Sequence, residues 1–384
     1  MSNYFDIKSN PRKAYASFTV LAVIAIIFPF IAANYGNSWV RIVDFALLYI
    51  MLALGLNIVV GFAGLLDLGY IAFYAVGAYM TGLLASPQFA VVLESFVNQY
   101  PAVGNFLLRL FGPEIAQHGI HLSVRLIVPL GAALAGFFGT LLGAPTLKLR
   151  GDYLAIVTLG FGEIIRIFMN NLNAPVNFTN GPQGINLIDP VRIFGVSLSG
   201  EPGSHATVQI GNFSMPSVNA YYFLFLALCI VIVFVTSRLQ DSRLGRAWVA
   251  IREDEIAAQA MGINTRNIKL LAFTMGASFG GVSGAMFASF QGFISPESFS
   301  LTESFIVVSM VVLGGIGHIP GVILGSILLD GLPEVLRHVV EPVQQALFGH
   351  VIVAAEVLRQ LLYGLSMVVI MLARPAGLWP APKA

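Results

Sequence analysis

The chain has 384 residues, of which 57% are apolar and only 10% charged, with 39 glycines besides and a formal net charge of +1. A soluble domain carries about 25% charged residues, and no soluble core could hide so large an apolar share, which would surface as aggregating patches. With a mean hydropathy of +0.82, these figures exclude a soluble enzyme, a nucleic-acid binder and a disordered scaffold, and leave the bilayer as the solvent. The single cysteine, Cys229, lies in an apolar run. It allows no intramolecular disulfide and no cysteine-rich metal site, and reads as a small buried hydrophobe.

About 20 apolar residues cross the hydrocarbon core as a helix. In chain order the apolar runs are 14–33, 42–62, 68–86, 126–145, 153–170, 219–236, 270–290, 303–317, 319–332 and 354–373. The first begins with basic residues, as a secretory signal does, but the runs after it make an uncleaved first helix the better reading. Runs 303–317 and 319–332 are short and parted only at Gly317-His318; two short spans, one bent span and a re-entrant pair all fit. The fold class expected is an all-α polytopic membrane protein of about ten transmembrane helices, with eight or nine allowed. Its parts are a tail at 1–13, a transmembrane domain at 14–373 and a second tail at 374–384.

Lys and Arg set the orientation. Lys8, Arg12 and Lys13 lie in the first tail, Lys148 and Arg150 in the 144–152 connection, and Arg374 and Lys383 in the last tail. The 237–269 connection holds Arg238, Arg243, Arg246, Arg252, Arg266 and Lys269. With ten spans all of these fall on one side, the cytoplasm, together with both termini. The connections 34–41, 87–125, 171–218 and 333–353 then lie outside with Arg41, Arg109, Arg125, Arg192 and Arg337.

Small residues recur every four positions at Gly131, Ala135, Gly139 and Gly143, and again at Gly276, Gly280, Gly284 and Ala288. Such stripes let helix backbones approach closely in lipid, where no hydrophobic force drives association. Two glycine-rich interruptions, Gly61–Gly69 and Gly314–Gly321, echo one another, as broken helices do in the halves of transporters. Among intramembrane charges, Asp44, Glu303 and Asp330 sit near run ends and read as solvated at headgroup level. Glu163 and Arg166 are three apart on one helix face and read as a neutralising pair. Asp67, at a glycine-rich break, is the first acidic residue to test.

Several chemistries lack their residues. The sequence holds no Gly-x-x-x-x-Gly-Lys-Ser/Thr loop, no His-Glu-x-x-His and no Gly-x-Ser-x-Gly elbow. His118 and His121, three apart, do not read as a zinc site, and Glu253-Asp254-Glu255 lacks the spacing of a metal-dependent membrane transferase. No cofactor is expected on this chain. The outstanding segment is Gly245–Gly262, where Ala247, Val249-Ala250-Ile251, Ile256, Ala257 and Ala260-Met261 make one apolar face at helical spacing. A short helix of this kind projecting from a bundle suits docking in a groove of another protein better than lying on anionic lipid.

A family resemblance enters at this loop. Glu255-Ile-Ala257-Ala258-Gln-Ala-Met-Gly262 resembles the Glu-Ala-Ala…Gly coupling motif of ABC importer permeases, with Glu255 one position early because Ile256 intervenes. Leu54–Tyr79, including Asn57, Gly61, Gly64, Asp67, Gly69, Tyr70 and Tyr74, is similar to LivM-type permeases of high-affinity branched-chain amino acid importers. Arg150–Phe161, Thr179–Ile185 and Val312–Gly317 with Pro320-Gly321 resemble further segments of that family, so the likeness runs from about 42 to 375. Segments 87–121 and 194–216 match nothing in it.

The resemblance implies one permease of a five-part importer in the bacterial inner (plasma) membrane. Its partners would be a second, homologous permease, two cytoplasmic ATPase subunits that use ATP, and a periplasmic amino-acid-binding protein. ATPase contact is expected at Arg246, Arg252, Glu253, Glu255, Ala257, Ala258 and Gly262; Asn57, Asp67, Tyr70, Tyr74 and Glu163 are candidates for the translocation pathway, with buried packing the competing role for both tyrosines. Permeases for urea or short amides look similar, and an ion-coupled secondary transporter is the reading from another class.

Overall fold

The computed structural model describes residues 24–32, 36–147, 149, 151–193, 196–198, 207–210, 213–348, 350, 354–374 and 377–379. The first tail with Lys8, Arg12 and Lys13, the basic residues Lys148, Arg150 and Lys383, and His205 lie outside the described residues. The elements are α1 (24–32), α2 (Asn37–Asn57), α3 (Ile71–Leu84), α4 (Gln88–Gln99), α5 (Pro101–Phe111), α6 (Pro113–His118), α7 (Val124–Thr146) and α8 (Asp152–Asn171). They continue with α9 (Ser217–Asp241), α10 (Arg243–Glu253), α11 (Glu255–Ala260), α12 (Thr265–Gln291), α13 (Leu301–Gly314), α14 (Ile319–Phe348) and α15 (Ala355–Ala373). Among the described residues five helical segments are long and apolar enough to cross a membrane: Asn37–Phe62, Arg125–Thr146, Ser217–Asp241, Thr265–Gln291 and Pro296–Gly314. The chain is thus an all-α protein of the membrane type.

The axis of the bundle is α12. Asn264 caps its start by accepting from the Asn267 amide at 3.2 Å, and Gly292, at φ +70°, ends it in the left-handed region that glycine enters without a Cβ clash. Glycines inside a helix cost propensity, and here close packing offsets that cost. The two small-residue stripes do not face each other. Gly131, Ala135 and Gly139 of α7 lie against Ala277 and Gly281 of α12, whereas Gly276, Gly280 and Gly284 face the other way, onto Gly55 and Val59 of α2 and Tyr70, Phe73 and Tyr74 at the start of α3. A Cβ added at Gly276 would stand 2.6 Å from Val59 and 2.9 Å from the Gly55 carbonyl.

α13 and α14 form an antiparallel hairpin. Gly314 meets Gly321, and Gly325 meets the Met310 carbonyl, so one number falls as the other rises. This removes the single bent span from the readings of 303–332. α14 also continues for 30 residues to Phe348, and α4–α6 fill most of 88–118. Both stretches were expected as plain connections. Hydropathy marks where a helix leaves the apolar zone, not where its backbone hydrogen bonds stop, and a helix continues past it.

At one end of the bundle, two-residue strands bind Ala85 to His121 and Ile185 to Ile294, and the Asp189 amide reaches the Ala85 carbonyl at 2.6 Å. At the far end of α12 lie the 237–269 connection and the two glycine breaks. The depth of the acidic residues differs from expectation. Asp44 is fully buried on α2, near Tyr222 of α9, and neither carboxylate oxygen has a hydrogen bond among the described residues. Glu303 accepts from the Tyr49 hydroxyl at 2.7 Å, and Tyr49 lies near the middle of the span Asn37–Phe62. Glu303 opens its apolar run and so read as a span end, but the 3₁₀ turn Pro296–Phe299 starts α13 part-way down the bundle. Asp330 likewise lies inside α14 and not at its end.

Because α12 meets backbone on both sides, Gly284→Leu should overpack the α3 contact and destabilise by about 1–3 kcal/mol. Gly160, with open space around it inside α8, supplies the control Gly160→Ala, which should hold or raise the thermal midpoint of the detergent-solubilised protein, since alanine is the better helix former.

Candidate functional site

The 237–269 connection folds as two short helices locked to the start of α12. Ser242 caps α10 by accepting from the amides of Leu244 and Gly245 at 3.1 and 3.2 Å. Trp248 is fully buried, and its indole Nε1 donates to the Ile268 carbonyl at 2.8 Å. Asp254 caps α11 through the amides of Ile256 and Ala257 at 2.8 and 3.0 Å, so the middle acid of Glu253-Asp254-Glu255 serves the backbone. Glu255 turns inward and pairs with Lys269 at 2.6 Å. Gly262, at φ +84°, closes α11 with a left-handed turn.

The loop residues therefore divide. Arg246, Arg252, Glu253, Ala257 and Gly262 are exposed, Ala258 is buried, Glu255 points to the bundle, and Arg252 reaches back from the surface to the Gly61 carbonyl. Two large apolar side chains also face outward: Ile256 is 70% and Met261 84% exposed. Sequence spacing placed these two on the apolar face of the loop without singling them out. The signal was available, since a large apolar residue beside a cap has no core to enter.

Below the loop the two glycine breaks meet. α2 ends in a widened turn, Ile58–Phe62, in which the Ala63 amide reaches back to Ile58. Gly64, at φ +69°, then reverses the chain, and the Leu65 amide bonds to Val59 at 3.0 Å. Opposite stands Gly317, at φ +82°. A Cβ on Gly61 would be 2.7 Å from the Gly317 nitrogen, so the two backbones touch. The Asn57 Oδ1 accepts from the Gly317 amide at 2.9 Å, and Arg252 Nη1 donates to the Gly61 carbonyl at 2.5 Å. From the last tail, the amides of Leu378 and Trp379 bond to the carbonyls of Leu313 and Gly314, at 2.9 and 3.1 Å, ending α13. His318 Nδ1 lies 2.9 Å from the Trp379 carbonyl; burial draws its pKa below the usual histidine value, against the opposing pull of that carbonyl.

The five pathway candidates do not converge on one opening. Asn57 is fully buried in the seam. Asp67 accepts from the Gly69 amide at 2.9 Å and lines, with Thr146, Thr158, Phe161 and Phe273, a cavity of about 10 Å³, room for about one water. Tyr70 donates to the Gly276 carbonyl at 2.6 Å, and Tyr74 packs tilted against Phe287 and edge-on against Phe299, with both centroids 5.4 Å away. Glu163 pairs with Arg166 at 3.0 Å, and Arg166 also reaches Glu297 at 3.4 Å. At the other end, His121 lies 2.5 Å from Asp189, an acidic partner 68 residues away that sequence proximity could not reveal. No group of three or more metal-ligating side chains occurs among the described residues.

The family described as branched-chain amino acid transport system, permease component, matches residues 38–371. The chain belongs to this family. It is 39% identical over 369 residues to the high-affinity branched-chain amino acid transport system permease protein LivM of Escherichia coli K12, covering 94% of this chain and 74% of that protein. A probable LivM of Methanocaldococcus jannaschii is 26% identical over 349 residues, 87% of this chain and 90% of the relative. The E. coli permease LivH is 37% identical over 112 residues, 29% of this chain and 34% of its own. No solved structure matches the chain.

In this permease the Glu255–Lys269 pair fixes α11 to α12, with the lysine side chain 8% and the carboxylate 23% exposed. Glu255→Ala should strand a buried ammonium and cost toward the lower end of the roughly 3–5 kcal/mol typical of breaking such a pair, since Glu255 keeps some water. The double variant Glu255→Ala/Lys269→Met should recover most of that loss in a thermal melt.

Proposed function

We propose that this chain is the transmembrane subunit of an ATP-driven importer of branched-chain amino acids in a bacterial inner membrane, with its 237–269 loop as the contact for the ATPases. The observation that carries the motor contact is the pair of exposed apolar side chains, Ile256 and Met261, on a loop whose other bonds all serve to hold it rigid. An apolar tip on a braced helix is suited to a groove on a partner. Nucleotide is bound by two partner ATPases, and this chain has no ATPase site of its own; the sequence holds no phosphate-cradling loop. Likeness to both LivM and LivH supports a heterodimer of related permeases, and a periplasmic binding protein delivers the substrate. The relatives' names favour aliphatic amino acids over urea or short amides.

About ten spans with both termini inside account for the distribution of Lys and Arg. The loop, the Gly61 and Gly317 breaks and Trp379 then face the cytoplasm, while His121 and Asp189 face outward. For the pathway, Glu303 adds to the five candidates. It is half-buried at mid-depth and bonded by Tyr49, and a carboxylate there requires water, a partner or a substrate ammonium.

Two experiments test this reading. Ile256→Asp with Met261→Asp should release the ATPase subunits from a tagged permease while insertion is unchanged; full retention would contradict the docking role. In proteoliposomes, leucine uptake should need the whole complex, ATP and the binding protein, and Glu303→Gln should raise the KM for uptake about ten-fold, the effect of about 1.4 kcal/mol. Uptake by this chain alone would refute the importer assignment.

A further inference from the structure

We propose that Arg252 is a positioning residue that ties the break in α2 to the coupling loop, so that displacement of α10 and α11 is delivered to the Gly61–Gly317 seam. The inference rests on the loop being the motor contact and adds the route by which a push leaves the loop.

Three contacts converge on this one side chain. Its Nη1 donates to the Gly61 carbonyl at 2.5 Å. In a continuing helix that carbonyl would be satisfied by the Leu65 amide, but Leu65 bonds to Val59 instead, so the charged donor fills the gap, and hydrogen bonds from charged groups are the stronger class. The aliphatic stem lies on Gly64: a Cβ there would stand 2.5 Å from Arg252 Cγ and 3.1 Å from its Cβ. The guanidinium also borders Gly317, whose added Cβ would be 3.2 Å from Nη1 and 3.2 Å from the Gly61 carbonyl. One side chain from the loop thus touches both broken helices where they meet.

The rest of the loop is arranged to move Arg252 as a unit with its helix. α10 is capped by Ser242 and anchored by Trp248 on the first turn of α12, and Arg252 stands near its last residue, Glu253. Arg246, on the same helix, donates instead to the Asp241 carbonyl within the loop at 3.0 Å; both arginines keep solvent access, Arg252 with 36% of its side chain exposed. The two arginines therefore play different parts. Glu253, 3.6 Å from the Arg252 guanidinium and 73% exposed, holds the outer side of the group.

Arg252→Met keeps the stem over Gly64 and removes the donor; Arg252→Lys keeps a charged donor. In the assembled transporter, Arg252→Met should retain its ATPase subunits and its ATP hydrolysis while leucine uptake per ATP falls about ten-fold, within the range of typical coupling between sites. Arg252→Lys should stay within about two-fold of wild type. Gly317→Ala, which leaves the loop sequence untouched, should lower the same ratio and covers the case in which Arg252→Met does not insert. An unchanged ratio in Arg252→Met or in Gly317→Ala would overturn the proposal, as would equal loss in the Met and Lys variants. Shedding of the ATPase subunits by Arg252→Met would also overturn it, by making Arg252 a docking residue, and would leave the motor-contact reading standing. A wild-type permease that binds no ATPase would remove that reading, and this inference with it.

Discussion

Inside a bilayer a helix cannot simply stop, because every freed amide and carbonyl must find a partner within the protein. The chain breaks its helices where Asp67 and Thr158 serve the amides of Gly69 and Leu68 and Ser304 serves Ile71. Asn57 serves the Gly317 amide and Arg252 the Gly61 carbonyl, while the last tail closes α13. Several of the buried polar residues are placed by that requirement. It explains why one oxygen each of Asn57 and Asp67, which attract notice as intramembrane polar groups, accepts from a backbone amide.

The same requirement sets how the molecule can move. A break whose backbone groups are satisfied by side chains from another element is a joint with a handle. At the Gly61–Gly317 seam the handle is Arg252, and it belongs to the loop read as the motor contact. Close glycine contacts hold α7, α12, α2 and α3 into one packed body, so force on the seam meets a stiff frame.

Much of the fold was legible in sequence because hydropathy and small-residue spacing act locally. The stripes at Gly131–Gly143 and Gly276–Ala288 marked close contacts of α12 with α7, α2 and α3, and the echo between Gly61–Gly69 and Gly314–Gly321 marked two segments that meet in space. What sequence could not give is the depth and direction of single side chains. Glu303 opened an apolar run and read as a headgroup residue, although the turn before α13 sets it at mid-depth beside Tyr49. Asp44 was misread for the same reason. In the loop, residue types marked a short amphipathic segment, but only packing separates Glu255 and Arg252, which hold the loop to the bundle, from Ile256 and Met261, which face away from it. His121 and Asp189 are distant in the chain, so their pairing had no local signal.

The central claim is that the coupling loop and the seam move as one piece, and it is tested most directly by electron cryomicroscopy of the complete transporter with and without a non-hydrolysable ATP analogue. The account predicts that α10 shifts between the two states while the Arg252 guanidinium stays on the Gly61 carbonyl, and that Gly61 and Gly317 change their separation. A loop that shifts while Arg252 leaves Gly61, with the seam unmoved, would contradict it.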